Sequence, residues 1–364
     1  MFKIKTFLLV LLFSTLLPLN LYALKTGDKA REINGKWKNT ERFQVCYNTI
    51  DKRNEKFLKI LVFCYPNDES FTNLMPILET IQKEPNIKVA LVADNEKDVK
   101  LFLEQNRDFS LPIIADRRSS SLYMAGSLIY PKAFIINYEN KIIWDGELLD
   151  IMSIIKKIKN DKFNLKDELK ISQELESLQL AMRSGDEFKA SSHVDKILAI
   201  DPENAAALRM RLFMLEEQGR FEEAYEFLKK QQNRAPKAGG IYLLILDLLT
   251  RYEPLRNNLA NLTKDISSIE EVEIQDKLTF AWVLLNNFNY NCEAILGARG
   301  LLQSLDIKKM NNNELAFYYT ISACYCYKVG SLSPAIEFQK KAFDLLKNQQ
   351  TEEILNYYLQ IEKL

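Results

Sequence analysis

Between residues 57 and 160, short apolar runs alternate with stretches of helical period. Residues 57–65 are apolar apart from Lys59, a run too short for a helix and suited to a buried strand. Residues 69–82 carry helical spacing, 87–93 form a second buried run, and 96–105 read as an amphipathic helix. A short strand is predicted over 112–115. Strands over 132–138 and 141–145 form a hairpin around Glu139 and Asn140, and a last helix covers about 149–158. Strands separated by helices and closed by a hairpin predict a mixed-sheet α/β domain over 24–160.

From residue 171 the strand signals stop and helical period takes over. Gly185, Ala190 and Pro202 recur 34 residues later as Gly219, Ala224 and Pro236. Gly330, Ala335 and Ala342 carry the pattern again near the end. Two further helical pairs are expected over 241–252 and 278–302, with Trp282 and Ala294 at degenerate repeat positions, and 352–364 reads as a capping helix. The 34-residue period, with proline ending the second helix, resembles that of tetratricopeptide (TPR) repeats and predicts an all-α superhelix over 171–364. Residues 161–170 are expected to link the domains. The resemblance implies a concave groove, lined by the first helix of each pair, that binds peptides or protein surfaces. Candidate groove residues are Arg209, Phe213, Glu216, Tyr318 and Tyr325.

The α/β half also carries a resemblance. Leu24-Lys25-Thr26-Gly27-Asp28-Lys29-Ala30 resembles the Gly-Asp-x-Ala-Pro opening of redoxin-type domains. Residues 60–76 resemble the active-site segment of TlpA-type thioredoxin-like proteins, with Met75-Pro76 one turn into the helix. In that register Asp68-Glu69-Ser70-Phe71 stands where Cys-x-x-Cys would be. Phe63-Cys64-Tyr65-Pro66 also resembles the Phe-Phe-Tyr-Pro stretch of AhpC/TSA-type peroxiredoxins. Ser70 then matches the threonine, and Asn73 occupies the place of the peroxidatic cysteine. Neither register retains the thiolate that this chemistry requires. Tyr130-Pro131 and the following Lys132-Ala133-Phe134 resemble the family's cis-proline segment, so a cis Tyr130–Pro131 bond is expected. The resemblance implies a peptide cleft framed by Asp68, Glu69, Ser70, Phe71, Tyr130 and Pro131, or a spacer domain with that cleft filled. An alternative is a thiol-disulfide oxidoreductase or peroxiredoxin-like enzyme using Cys64, with Cys46 as its resolving partner.

Composition narrows these choices. The first 23 residues carry Lys3 and Lys5, an apolar run over 7–17, Pro18 and a Leu21-Tyr22-Ala23 end, the pattern of a cleavable secretory signal. Periplasm or cell envelope is the expected location, without a membrane span after cleavage. The 49 basic side chains match 49 acidic ones, and losing Lys3 and Lys5 leaves a net charge of −2, which gives no general attraction to nucleic acid. Five cysteines form no disulfide framework. The single histidine, His193, stands without a cysteine pair, so no metal site is expected. No Gly-rich phosphate loop occurs, and no cofactor is expected.

Overall fold

The computed structural model describes residues 23–40, 43–46, 57–124, 127, 130–288 and 291–363. The expected signal segment, apart from Ala23, lies outside the described residues, as do Leu128 and Ile129. The chain divides into two compact units, Met1–Ser177 and Leu178–Leu364.

The first unit is built on five strands: β1 (Leu58–Phe63), β2 (Ile87–Ala93), β3 (Ile113–Ala115), β4 (Lys132–Ile136) and β5 (Ile142–Glu147). They lie in the order β3-β2-β1-β4-β5. β1, β2 and β3 run parallel, while β4 is antiparallel to β1 and β5 to β4. Helices α1 (Glu69–Thr72), α2 (Met75–Gln82), α3 (Glu96–Gln105), α4 (Arg117–Tyr123) and α5 (Ile151–Lys159) surround the sheet, and α6 (Leu165–Arg183) crosses the division between the units.

Strand alternation sends Ile60, Val62 and Cys64 to one face of the sheet, with Phe71, Leu78 and Phe102. Leu61 and Phe63 face the other side, against Tyr123, Phe134 and the segment carrying Ala30, Ile33 and Trp37. That segment pairs at both rims of the sheet, Lys29 with Lys141 and Lys38 with Ile113. Each outer strand is thus covered at one point along its edge. Cys46 packs on the Phe63 face and Cys64 on the Val62 face, so the sheet separates the two thiols.

Two features depart from the sequence expectation. The helix expected over 69–82 is broken into α1 and α2, because Pro76 falls in the first turn of α2 and cannot continue a helix through Asn73 and Leu74. Helix α4 was not foreseen. Its three serines carry no apolar period, and it is started by Asp116, whose side chain accepts from the amides of Arg118 and Ser119. It is pinned by Tyr123, whose ring stacks on Phe63 and meets Phe134 edge-on.

The second unit contains α7 (Glu187–Ile200), α8 (Ala205–Glu217), α9 (Phe221–Arg234), α10 (Gly239–Arg251), α11 (Leu259–Ser268), α12 (Ile274–Asn287), α13 (Cys292–Ser304), α14 (Asn312–Lys328), α15 (Leu332–Leu346) and α16 (Gln349–Glu362). Gly185, Gly219 and Gly330 turn successive helices with φ of +69°, +68° and +80°, and a Cβ at any of them would meet nothing within 4 Å. Backbone conformation alone selects glycine there. Ala190, Ala224, Ala294 and Ala335 are fully buried where paired helices touch. The α10–α11 pair keeps the architecture without the glycine. A 3-10 turn over Glu253–Asn258 joins its helices, which is why α11 was not legible from the repeat.

Candidate functional site

Strand register assembles the end of the sheet where the family resemblance would place its chemistry. Phe63 pairs with Val92 on one side and with Lys132 on the other. Extending both registers by two residues puts Tyr65 beside Asp94 and opposite Tyr130. The Tyr130–Pro131 bond is cis, as expected. Tyr65 and Tyr130 stack with ring centroids 4.6 Å apart and planes 22° apart, and Tyr65 remains 44% exposed. Burial, and then the field of Asp94, pushes the Tyr130 phenol up.

Asp68, Glu69 and Ser70 are exposed at the start of α1. Asp68 caps that helix, its Oδ1 accepting from the Ser70 amide at 2.8 Å and also from the Ser70 hydroxyl. The hydroxyl bond first, and then the amide bond, holds the Asp68 carboxyl below its usual range. Phe71 does not join them. It is fully buried and meets Phe102 edge-on at 6.2 Å, so it forms core rather than a wall of a surface cleft. Pro131 is likewise buried. The structure thus brings Tyr130 to Tyr65 and Asp94, two residues the sequence reading did not single out. Their association follows from register across three strands and has no local signal.

Cys64 follows β1 directly, and its amide donates to the Val92 carbonyl at 3.1 Å. Its side chain is 1% exposed, and burial first, then Asp94, pushes the thiol up. A nucleophilic cysteine needs the opposite setting, partly exposed and near positive charge.

In the repeat unit, Arg209, Phe213 and Glu216 lie at i, i+4 and i+7 on α8 and share one face. Phe213 is 52% exposed. Glu216 Oε2 accepts from Arg251 Nη1 at 2.7 Å, and Arg251 Nη2 donates to Asp247 Oδ2 at 2.7 Å. The first bond ties α8 to α10, the first helices of successive pairs, and the second holds Arg251 in place along α10. Tyr318 and Tyr325 stand partly buried on α14, the first helix of the last pair, where Tyr318 meets Tyr319 edge-on at 5.7 Å. α14 packs on α12 and α12 on α10, so these tyrosines belong to the far end of the array from Phe213.

Among the described residues, no group of three or more His, Cys, Asp or Glu is placed to hold a metal ion. No helix among them is long and apolar enough to cross a membrane.

The strand order, the cis-proline beside β1 and the glycine-turned helical pairs give a thioredoxin-like α/β fold followed by a TPR-type helical array. No protein-family model matches the chain, and no curated protein does. Solved structures overlap portions of it. A thioredoxin candidate from Neisseria meningitidis is 20% identical, with 31% of this chain and 79% of that one covered at a TM-score of 0.26. A peroxiredoxin-like protein from Aquifex aeolicus is 17% identical over 38% and 88%, at 0.30. YrrB, a TPR protein with an unusual peptide-binding site, is 16% identical over 51% and 89%, at 0.30. The fold assignment rests on the topology above rather than on these overlaps.

Proposed function

We propose that this chain is an exported envelope protein that holds protein or peptide partners on the first-helix face of its repeat array, and that its thioredoxin-like domain performs no thiol chemistry. The observation that carries the binding reading is the face of α8. There, a 52% exposed phenylalanine stands between Arg209 and Glu216, next to a charge network shared with α10. A large aromatic ring left half in water on such a face is the kind of anchor that protein interfaces use. The thiol half of the proposal draws support from the burial of Cys64 and from Asp68, Glu69, Ser70 and Phe71 replacing a cysteine motif. Export draws support from the residue pattern of the first 23 positions.

Photo-crosslinking in cells tests the binding reading. A photoreactive phenylalanine analogue at position 213 is expected to capture a protein in the envelope fraction. The same analogue at Phe188, which is also exposed but lies on the second helix of its pair, is expected to capture none. Equal capture at both positions, or none at 213, contradicts the groove. N-terminal sequencing of the purified protein tests export, with Leu24 expected as the first residue.

A further inference from the structure

At the carboxyl ends of the parallel strands, alternation places four side chains in one row. Asp116, Asp94, Tyr65 and Tyr130 follow β3, β2 and β1 and precede β4, respectively, and extending the strand registers by one or two residues sets each beside the next. Ile114, Val92, Phe63 and Phe134 belong to one face of the sheet, so by the period of two the four row residues are directed to that same face. The carboxyl ends of parallel strands, where the order reverses, are also where open α/β sheets receive ligands.

The row is unevenly satisfied. Both Asp116 oxygens are in use, Oδ1 by the amides of Arg118 and Ser119 and Oδ2 by the Ser119 hydroxyl at 2.6 Å. Tyr130 has its ring covered by Tyr65. Lys132, two residues further along the same face, has its ammonium held 2.8 Å from Asp145. Asp94 is half-buried, and among the described residues its carboxylate takes no hydrogen bond and no ion pair. The 4.6 Å between the stacked rings matches the spacing of adjacent strands. Tyr65 therefore stands in the row between Tyr130, on which its ring stacks, and the backbone position of Asp94, whose field also reaches the Tyr130 phenol. A carboxylate without a partner beside an exposed aromatic face attracts positive charge twice, by ion pairing and by the ring quadrupole.

We propose that Asp94 and Tyr65 form a binding subsite for an ammonium or guanidinium group, the carboxylate pairing its charge and the outer face of Tyr65 covering it. No step of this reading involves the repeat array, so it stands or falls separately from the groove on α8. The cation belongs to a lysine or arginine side chain of a polypeptide or to a small amine, and the two sources share the chemistry.

Calorimetric titration and ligand-observed NMR on the full chain test the subsite, with N-acetyl-lysine methylamide as probe and its norleucine analogue as the uncharged control. The lysine probe is expected to bind weakly and the norleucine analogue not at all. Asp94→Asn is expected to lower affinity about tenfold, and Tyr65→Ala several-fold, while Tyr65→Phe, which keeps the ring face, retains binding. Thermal melts of the variants establish that the fold is kept. A lysine-containing pentapeptide binding more tightly than n-butylamine assigns the cation to a polypeptide, and the reverse order assigns it to a small amine; both support the subsite. Equal binding of the norleucine analogue, no binding of any cation, or unchanged affinity in Asp94→Asn overturns it.

Discussion

Asp145 joins three parts of the first domain through one carboxylate, and replacing it by asparagine tests how that domain is held. Its Oδ2 accepts from Lys132 Nζ at 2.8 Å, and its Oδ1 accepts from both the amide and the hydroxyl of Thr26 at 2.7 Å. The two charged side chains are each only 10% exposed. The Asp145→Asn variant would keep an acceptor for Thr26 but would leave the Lys132 ammonium enclosed without a counter-charge. Removing one partner of a buried pair costs about 3–5 kcal/mol. Against the roughly 5–15 kcal/mol that holds a typical domain, that is a fifth or more of its stability. Urea unfolding followed by tryptophan fluorescence reads the loss directly, since Trp144 adjoins Asp145 and is buried. A Trp282→Phe background removes the signal of the second unit. Lys132→Met should cost less, because the carboxylate keeps its two Thr26 donors. The double variant Lys132→Met/Asp145→Asn should regain much of the single loss, since no unpaired charge remains. A loss under about 1 kcal/mol for Asp145→Asn, or a double variant weaker than the single, would refute the reasoning.

Three further outcomes follow from the same geometry. Gly219→Ala should destabilise the repeat unit by about 1–2 kcal/mol through the left-handed backbone alone. Gly297→Ala, whose Cβ would meet Thr263 Cγ2 at 2.8 Å, should do so by crowding, so Thr263→Ser rescues the second variant and nothing nearby rescues the first. Phe71→Ala should cost about 3–5 kcal/mol as a core deletion, whereas Phe213→Ala should leave the melting curve nearly unchanged and weaken partner capture. Burial holds the Cys64 thiol protonated in the folded chain above its ordinary range, so the folded state keeps a proton that the unfolded state releases near pH 8.5. Stability should therefore decline as pH rises above about 8.5, and Cys64→Val should flatten that decline when unfolding is measured between about pH 8 and 10.

Legibility in the sequence varied with the kind of signal. The strand at Ile87–Ala93 and the helix at Glu96–Gln105 fall where the apolar pattern predicts, because a continuous buried run ends at Asp94 and Asn95 caps the helix through the amide of Asp98. The glycine-turned repeats were equally plain, since a positive φ leaves few other choices. Helix α4 was hidden by serines that carry no period, and α11 by a 3-10 turn that replaces the expected glycine. Phe71 read either as a wall of the cleft or as its filling, and its burial against Phe102, thirty-one residues away, has no local signal. The row from Asp116 to Tyr130 depends on pairing among four separate segments, which no local window contains.

The proposal that the thioredoxin-like domain performs no thiol chemistry turns on one side chain. The direct measurement is alkylation of the native protein across a pH series, read at Cys64 by mass spectrometry, with an insulin-reduction assay run alongside. The account predicts that Cys64 stays unlabelled from pH 6 to 9 until the protein is unfolded, and that no insulin is reduced. Rapid labelling of Cys64 with a midpoint near neutral pH, or turnover of insulin, would contradict it and mark Cys64 as a working nucleophile.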